Sequence, residues 1–193
     1  MISPLIERAA RRASQADAVL KTDESTILDV VGGELARATT STSQGTNLRV
    51  IVEGRPGVAG SVGDDPEELL QRAITSAALG EPTVLSLPFQ ATLPAVVTHM
   101  PRASAATISE LATFCYLVRD RLSAERADLR MILERSVGSV RVANTRGVDA
   151  SYDVSLVSLL VEACRARDGR RIAIEARLCG ADLPALTDVE QLV

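Results

Sequence analysis

Between Ala18 and Ser61 the chain sets down five short β-prone runs, 18–22, 26–31, 34–41, 47–53 and 58–61, each divided from the next by turn-forming residues. Strands this close in sequence can satisfy their backbone groups only by pairing antiparallel through tight reversals. Gly32-Gly33 is the clearest reversal, because two successive glycines accept the positive φ angles of a primed hairpin turn. The stretch 53–57 (EGRPG) supplies the next. The pattern predicts an antiparallel meander.

Helices punctuate it. A helix over 4–16 precedes the meander, with Leu5, Ile6, Ala9, Ala13 and Ala16 on one side and Arg8, Arg11 and Arg12 on the other. Its apolar side is mostly alanine, so the basic side reads as a solvated face and not as a membrane-surface helix. Asp65, Pro66 and Glu68 together give an N-cap, a proline at the first helical position and a capping box. That helix should run to Leu79, with Gly80 as its cap and Pro82 preventing continuation. Pro82, Pro88, Pro94 and Pro101 exclude a continuous helix or a central strand from 82–106, which reads as an extended connector. Thr107 and Glu110 form a second capping box, followed by a buried helix face of Ile108, Leu111, Cys115, Val118 and Leu122.

A second β region then covers 129–134, 139–143, 148–152, 154–166 and, after an Asp168-Gly169 turn, 171–178. Helix followed by meander thus occurs twice, and 26–38 is similar in pattern to 138–150. The expected fold class is α+β: one domain over 1–193 made of two helix-plus-antiparallel-meander lobes, 1–81 and 107–181, joined by the Pro-rich connector 82–106. Thr187 and Glu190 make a third capping box close to Val193. A single turn is unstable alone, so this tail either docks on something or opens a longer design.

The 193 residues are 46% hydrophobic, enough for a real core, but Phe89, Phe114, Tyr116 and Tyr152 are the only aromatics. Leu, Val, Ile and Ala must build the interior, and stacking platforms for bases are scarce. With a net charge of -4 and basic residues interleaved with acids, the chain offers nucleic acid no field to follow. All basic residues but Lys21 are Arg, a bias of the kind genome composition produces. Cys115, Cys164 and Cys179 are odd in number, lack a C-x-x-C pair and follow no secretory signal, so the expected compartment is the cytoplasm. The longest apolar run, 154–166, is broken by Ser, Glu and Arg, and no membrane span is expected.

Catalysis finds little to work with. A catalytic zinc usually takes three protein ligands, and the only histidine, His99, has no partner at helical spacing. Any Ser or Cys nucleophile would have to recruit that same His99, and there is no G-x-S-x-G elbow, Walker loop or dinucleotide fingerprint. Cys115 lies in a core stripe, and Cys164 and Cys179 fall in or at the end of strands, where packing accounts for them. Asp64-Asp65 and Glu67-Glu68 are accounted for by capping and the helix dipole. No catalytic and no metal-binding residue is assigned.

The order of motifs nevertheless resembles a known family. The run 16–20 (ADAVL) leading to Asp23-Glu24-Ser25, then Gly33-Glu34-Leu35 and 45–57 (GTNLRVIVEGRPG), is similar to the N-terminal region of TldD/PmbA proteins, historically called modulators of DNA gyrase. Asp65-Pro66-Glu67-Glu68-Leu69, Leu87-Pro88, and 140–147 (VRVANTRG) followed by Tyr152 continue the likeness over nearly the whole chain. The resemblance implies an N-terminal α+β domain joined to a C-terminal domain that, in the TldD type, carries a His-Glu-x-x-x-His metal motif. It implies subunits pairing as TldD with PmbA (TldE) to process peptides in an enclosed chamber. None of those metal positions exists here, so zinc is expected in a partner subunit or a C-terminal domain, and this chain alone is expected to be inactive.

The implied role is a non-catalytic domain that contributes to dimerisation and to the wall of a peptide chamber. The 144–147 segment reads as a tight turn, and Arg146 is the candidate substrate contact, since a guanidinium can grip a peptide carboxylate. The alternative is a stand-alone peptide-binding or scaffold protein that uses exposed strand edges. Binding to DNA gyrase or DNA disagrees with the acidic charge balance.

Overall fold

Gly32 and Gly33, with φ of 59° and 87°, close the first hairpin as a two-residue primed turn. A second such turn is made by Glu53 and Gly54, at φ 50° and 76°, so Pro56 and Gly57 lie inside the following strand and not in the turn. The computed structural model containing them describes residues 2–63, 65–92, 95–122, 128–167 and 170–191. Its elements are α1 (Ile2–Ala9), β1 (Gln15–Val31), β2 (Glu34–Val52), β3 (Arg55–Ser61), α2 (Pro66–Ala77), α3 (Pro101–Ala105), α4 (Ile108–Leu122), β4 (Asp128–Asn144), β5 (Asp149–Arg167), β6 (Arg170–Gly180) and α5 (Leu186–Glu190). The strands form one antiparallel sheet in the order β3-β2-β1-β4-β5-β6, an α+β fold. Pro56 is tolerated because β3 is an edge strand.

The strands are longer than the sequence suggests: β1, β2, β4 and β5 each run 17 or 19 residues where pairs of short runs were expected. Polar residues that mimic turns are satisfied across the ladder instead. Glu24 accepts from Arg135 at 2.6 Å and Ser25 reaches Glu134 at 3.4 Å, which keeps 23–25 in β1. The expected Asp168-Gly169 turn lies outside the described residues.

The chain divides into two compact units: Met1–Asp23, Ser43–Val96 and Gly138–Asp153 form one, and Glu24–Thr42, Val97–Val137 and Val154–Val193 the other. Each draws on three separated stretches, whereas the expected sub-lobes 1–81 and 107–181 are contiguous, because the four long strands contribute residues to both cores. In the first unit, Ile2, Leu5 and Ala9 of α1 and Leu69, Leu70 and Ala73 of α2 pack on Ala16, Ala18, Leu48, Val50 and Ala143 of the sheet. In the second, Leu111, Cys115 and Val118 of α4 and Val189 of α5 pack on Leu28, Val30, Met131, Leu133, Val157 and Leu159. Each fully buried Leu or Val here contributes about 2 kcal/mol.

The helix signals hold in part. Asp65 caps α2, accepting from the backbone N–H of Glu67 and Glu68 at 2.9 and 3.2 Å, with Pro66 at the first position. This cap is worth about 1 kcal/mol. The helix ends two residues early at Ala77, and Ala78 rather than Gly80 is its C-cap. Gly80 answers to space instead: an added Cβ would lie 2.4 Å from the Pro56 carbonyl oxygen. Thr107 and Glu110 exchange bonds in both directions, as a capping box requires. Ile108 is the exception in the expected stripe, lying 45% exposed.

The first helix stops at Ala9 and not at 16, because Ser14 donates its N–H and its hydroxyl to the Ile51 carbonyl and turns the chain into β1. At the other end, Ala185 and not Thr187 occupies the N-cap of α5. Burial of Val189 against α4 sets that register, and Arg121 bonds Glu190 at 2.7 Å. The tail therefore docks. The connector is irregular as expected through Met100, with Pro94 outside the described residues, and then forms the one-turn helix α3 behind Pro101.

At Gly138 the backbones of β1 and β4 leave no room for a side chain. A Cβ there would sit 1.9 Å from the Thr22 carbonyl oxygen and 2.8 Å from its carbon. Replacing Gly138 with Ala should lower stability by about 2–3 kcal/mol, whereas Gly63→Ala, where the nearest atom is 3.6 Å away, should stay within about 0.5 kcal/mol. Denaturant midpoints of the two variants against the parent measure the difference.

Candidate functional site

The turn between β4 and β5 is built around Asn144. Its Oδ1 accepts from the N–H of Arg146 and Val148 at 2.8 and 3.0 Å, its backbone N–H bonds Val148 at 2.9 Å, and Gly147 takes φ 91°. This is an Asx-type turn, the structure that Asn and Gly in this pattern favour. Asn144 is buried, and its Nδ2 donates to the Pro88 carbonyl at 2.9 Å, so the turn also holds the connector. Thr145 secures the base, trading bonds with Ala16 of β1 at 2.8 and 3.0 Å.

Arg146 extends the same grip. Its Nη1 donates to the Ser86 hydroxyl and, at 2.7 Å, to the Leu87 carbonyl, and its guanidinium carbon stands 3.5 Å from the centre of the Phe89 ring. From below, the Gln15 side chain accepts from the Leu87 N–H at 2.7 Å and donates to the Leu85 carbonyl at 3.3 Å. Leu87 is thereby buried while Phe89 remains 67% exposed. Nε and Nη2 of Arg146 make no hydrogen bond to another described residue, so the group keeps donors for an incoming carboxylate. Chemically, the arrangement can position a chain segment and bind an anion.

His99 meets a partner that its sequence position does not announce. Its Nε2 lies 2.5 Å from the Ser104 Oγ, and that hydroxyl also lies 3.1 Å from the Met100 carbonyl. The signal was local: Pro101 starts a short helix, which swings the residue five positions on from His99 back over the ring. A hydroxyl–imidazole pair is the beginning of a nucleophilic relay, but a relay also needs an orienting acid and donors for an oxyanion. The contacts of His99 and Ser104 supply neither.

The second feature missed from sequence is Arg135, buried within the second unit. Nη2 donates to Glu24 at 2.6 Å and to Thr26 at 3.0 Å, and Nη1 donates to the Ala106 carbonyl at 2.9 Å and, more weakly, to that of Ser104 at 3.4 Å. Its Nε has no partner among the described residues. Such a group ties β1, β4 and the α3–α4 link together, a structural task with no free face for a ligand.

The acidic cluster at the start of α2 is likewise occupied. Asp65 caps the helix, Glu67 pairs with Arg12 at 2.7 Å and Arg8 at 3.6 Å, and Asp64 lies outside the described residues. Among the described residues, no group of three or more His, Cys, Asp or Glu could hold a metal ion. All three cysteines are free thiols. Burial pushes the Cys115 thiol up to about 12.

Residues 16–77 match the family described as PmbA/TldA metallopeptidase domain 1. Among solved structures, a proposed modulator of a DNA gyrase from Thermotoga maritima is similar over 100% of this chain and 46% of its own, with a TM-score of 0.79 at 14% identity. TldE from Thermococcus kodakarensis is similar over 98% of this chain and 44% of its own, at TM-score 0.76 and 19% identity. A proposed modulator of DNA gyrase from Bacteroides thetaiotaomicron gives 94%, 44%, 0.79 and 14% in the same order. At such identities the likeness shows the fold, and the chain spans less than half the length of each of these proteins. No curated protein matches the chain.

Two measurements probe the site. Arg146→Ala should free the connector, losing about 1–2 kcal/mol locally, so chymotrypsin should cut at Phe89 roughly tenfold faster. Arg146→Lys should recover little, because an ammonium cannot stack as a planar fork does. At pH 8, a thiol whose pKa is about 12 is ionised to about one part in ten thousand. Exposed Cys179 should therefore label promptly with a disulfide reagent, and Cys115 only on unfolding.

Proposed function

We propose, starting from the match of 16–77 to PmbA/TldA metallopeptidase domain 1, that this chain serves as the non-catalytic part of a zinc metallopeptidase assembly acting on peptides. In this reading the domain contributes to dimerisation and to the wall of a substrate chamber in the cytoplasm. A TldD/PmbA-like partner subunit or a C-terminal domain brings the metal. The observation that carries the proposal is the match of 16–77 to the first domain of that family in a chain with a single histidine.

The donors among the described residues do not suit zinc. His99 is engaged by Ser104, Cys115 is a protonated core thiol, and the acids at the start of α2 are held by arginines and backbone amides. No step of hydrolysis is therefore assigned to this chain. Arg146, anchored on Phe89 and with donors to spare, is the residue best suited to meet a peptide carboxylate.

The alternative reading, a stand-alone peptide-binding scaffold, draws on Ile172 and Ile174, 59% and 61% exposed on the edge strand β6. Mixing the chain with a full-length TldD-like subunit separates the two readings. Co-purification, together with peptide cleavage that differs with and without the chain, supports the accessory role. No association and unaltered cleavage reject it.

A further inference from the structure

Several arginines of the first unit meet a carboxylate: Arg12 pairs with Glu67 at 2.7 Å, Arg49 with Asp17 at 2.7 Å and Arg141 with Asp149 at 2.8 Å. Arg146 is held by neutral groups instead. Its Nη1 gives one hydrogen to the Ser86 hydroxyl and the other to the Leu87 carbonyl, and the guanidinium carbon lies 3.5 Å over the Phe89 ring. Among the described residues, no carboxylate pairs with it. With Nη1 committed, the edge formed by Nε and Nη2 is the fork left whole. That edge matches the two oxygens of a carboxylate. Three contacts already fix the group, so an incoming anion has little side chain to immobilise and loses little affinity to ordering.

Phe89 adds a second requirement. With the guanidinium on one face, the ring is still 67% exposed, and this apolar surface lies beside the fork. The two features are matched by a ligand that carries a carboxylate and an apolar group on the same carbon. A peptide ending in an apolar residue has that unit at its free C-terminus. An acidic side chain within a peptide reaches the fork but brings no apolar group on the carbon that bears its carboxylate. An amidated end offers one acceptor where the fork takes two, and sets N–H against N–H.

We propose that the Nε–Nη2 edge of Arg146 and the Phe89 ring bind the free C-terminus of a peptide whose last residue is apolar. The carboxylate bridges Nε and Nη2, and the last side chain covers the open part of the ring. Residues 86–89 and 146 all belong to the first unit, so the site is complete within it. The inference rests on the reading of Arg146 as a peptide contact and specifies which part of the peptide it meets. Association with a TldD-like subunit is measured separately, so the failure of either leaves the other standing.

Fluorescence anisotropy with the 193-residue chain tests it. The probes are short peptides labelled at the N-terminus: one ending in leucine with a free carboxylate, its C-terminal amide, its counterpart ending in glycine, and an amidated peptide with an internal glutamate. The leucine acid should bind roughly tenfold or more tightly than either amidated peptide, and severalfold more tightly than the glycine acid. Added salt should narrow the gap between acid and amide. Arg146→Ala should abolish the preference for acid over amide, whereas Arg11→Ala, at an exposed arginine elsewhere in the first unit, should keep it. Equal binding of acid and amide by the parent chain overturns the proposal without recourse to any variant, and so does the absence of binding. An internal glutamate that serves as well as the free end, or an Arg146→Ala chain that still prefers the acid, overturns it too.

Discussion

Pairing of β1 with β4 in the middle of the sheet is the constraint on which the remainder depends, because it joins residues more than a hundred positions apart. In the first unit, Thr22 and Ser139, 117 residues apart in sequence, share a hydroxyl bond at 2.8 Å where Gly138 lets the backbones close. In the second unit, Arg135 reaches back to Glu24 and Thr26, and Arg130 forks onto Asp29 at 3.2 Å through both nitrogens. Contacts of such range cost loop-closure entropy before they return any stability. The local hairpins at Gly32-Gly33 and Glu53-Gly54 and the capped helices can form early, but neither core closes until β4 arrives.

Arg135 shows why that pairing has one register. Burying a guanidinium is expensive unless its donors are met, and four contacts from its two terminal nitrogens offset most of that cost here, Nε alone lacking a partner among the described residues. Shifting β4 by a single residue would turn the guanidinium to the opposite face and take the Arg135 contact from Thr26, itself buried. Glu24 stays half exposed, so hydration offsets part of the cost of the ion pair. The group therefore contributes more to uniqueness of alignment than to net stability.

What could be read from the sequence was what local chemistry decides. Two glycines at a hairpin, Asp65 before Pro66, and Thr107 with Glu110 act through bonds spanning a few residues, and the structure places them as read. The α+β class followed from them, and the order of weak motifs pointed to the family whose first-domain description matches 16–77. Strand continuity escaped because the partners of Asp23-Glu24-Ser25 lie on β4, where no local window can find them. The start of α5 was misjudged because burial of Val189 outweighed the propensity of Thr187 for a cap. The sequence marks Arg146 as a candidate substrate contact, but its engagement with the connector depends on residues some sixty positions earlier in the chain.

The way Arg146 holds the connector has a physical corollary. Surface pairs such as Arg12 with Glu67 draw their strength from opposite charges and weaken as dissolved ions screen them. Arg146 instead leans on an aromatic face, a carbonyl and a hydroxyl, none of which carries a formal charge. Its hold is short-ranged and largely indifferent to ionic strength, so the connector keeps its course in brines that would loosen the arginine–glutamate contacts elsewhere on the surface.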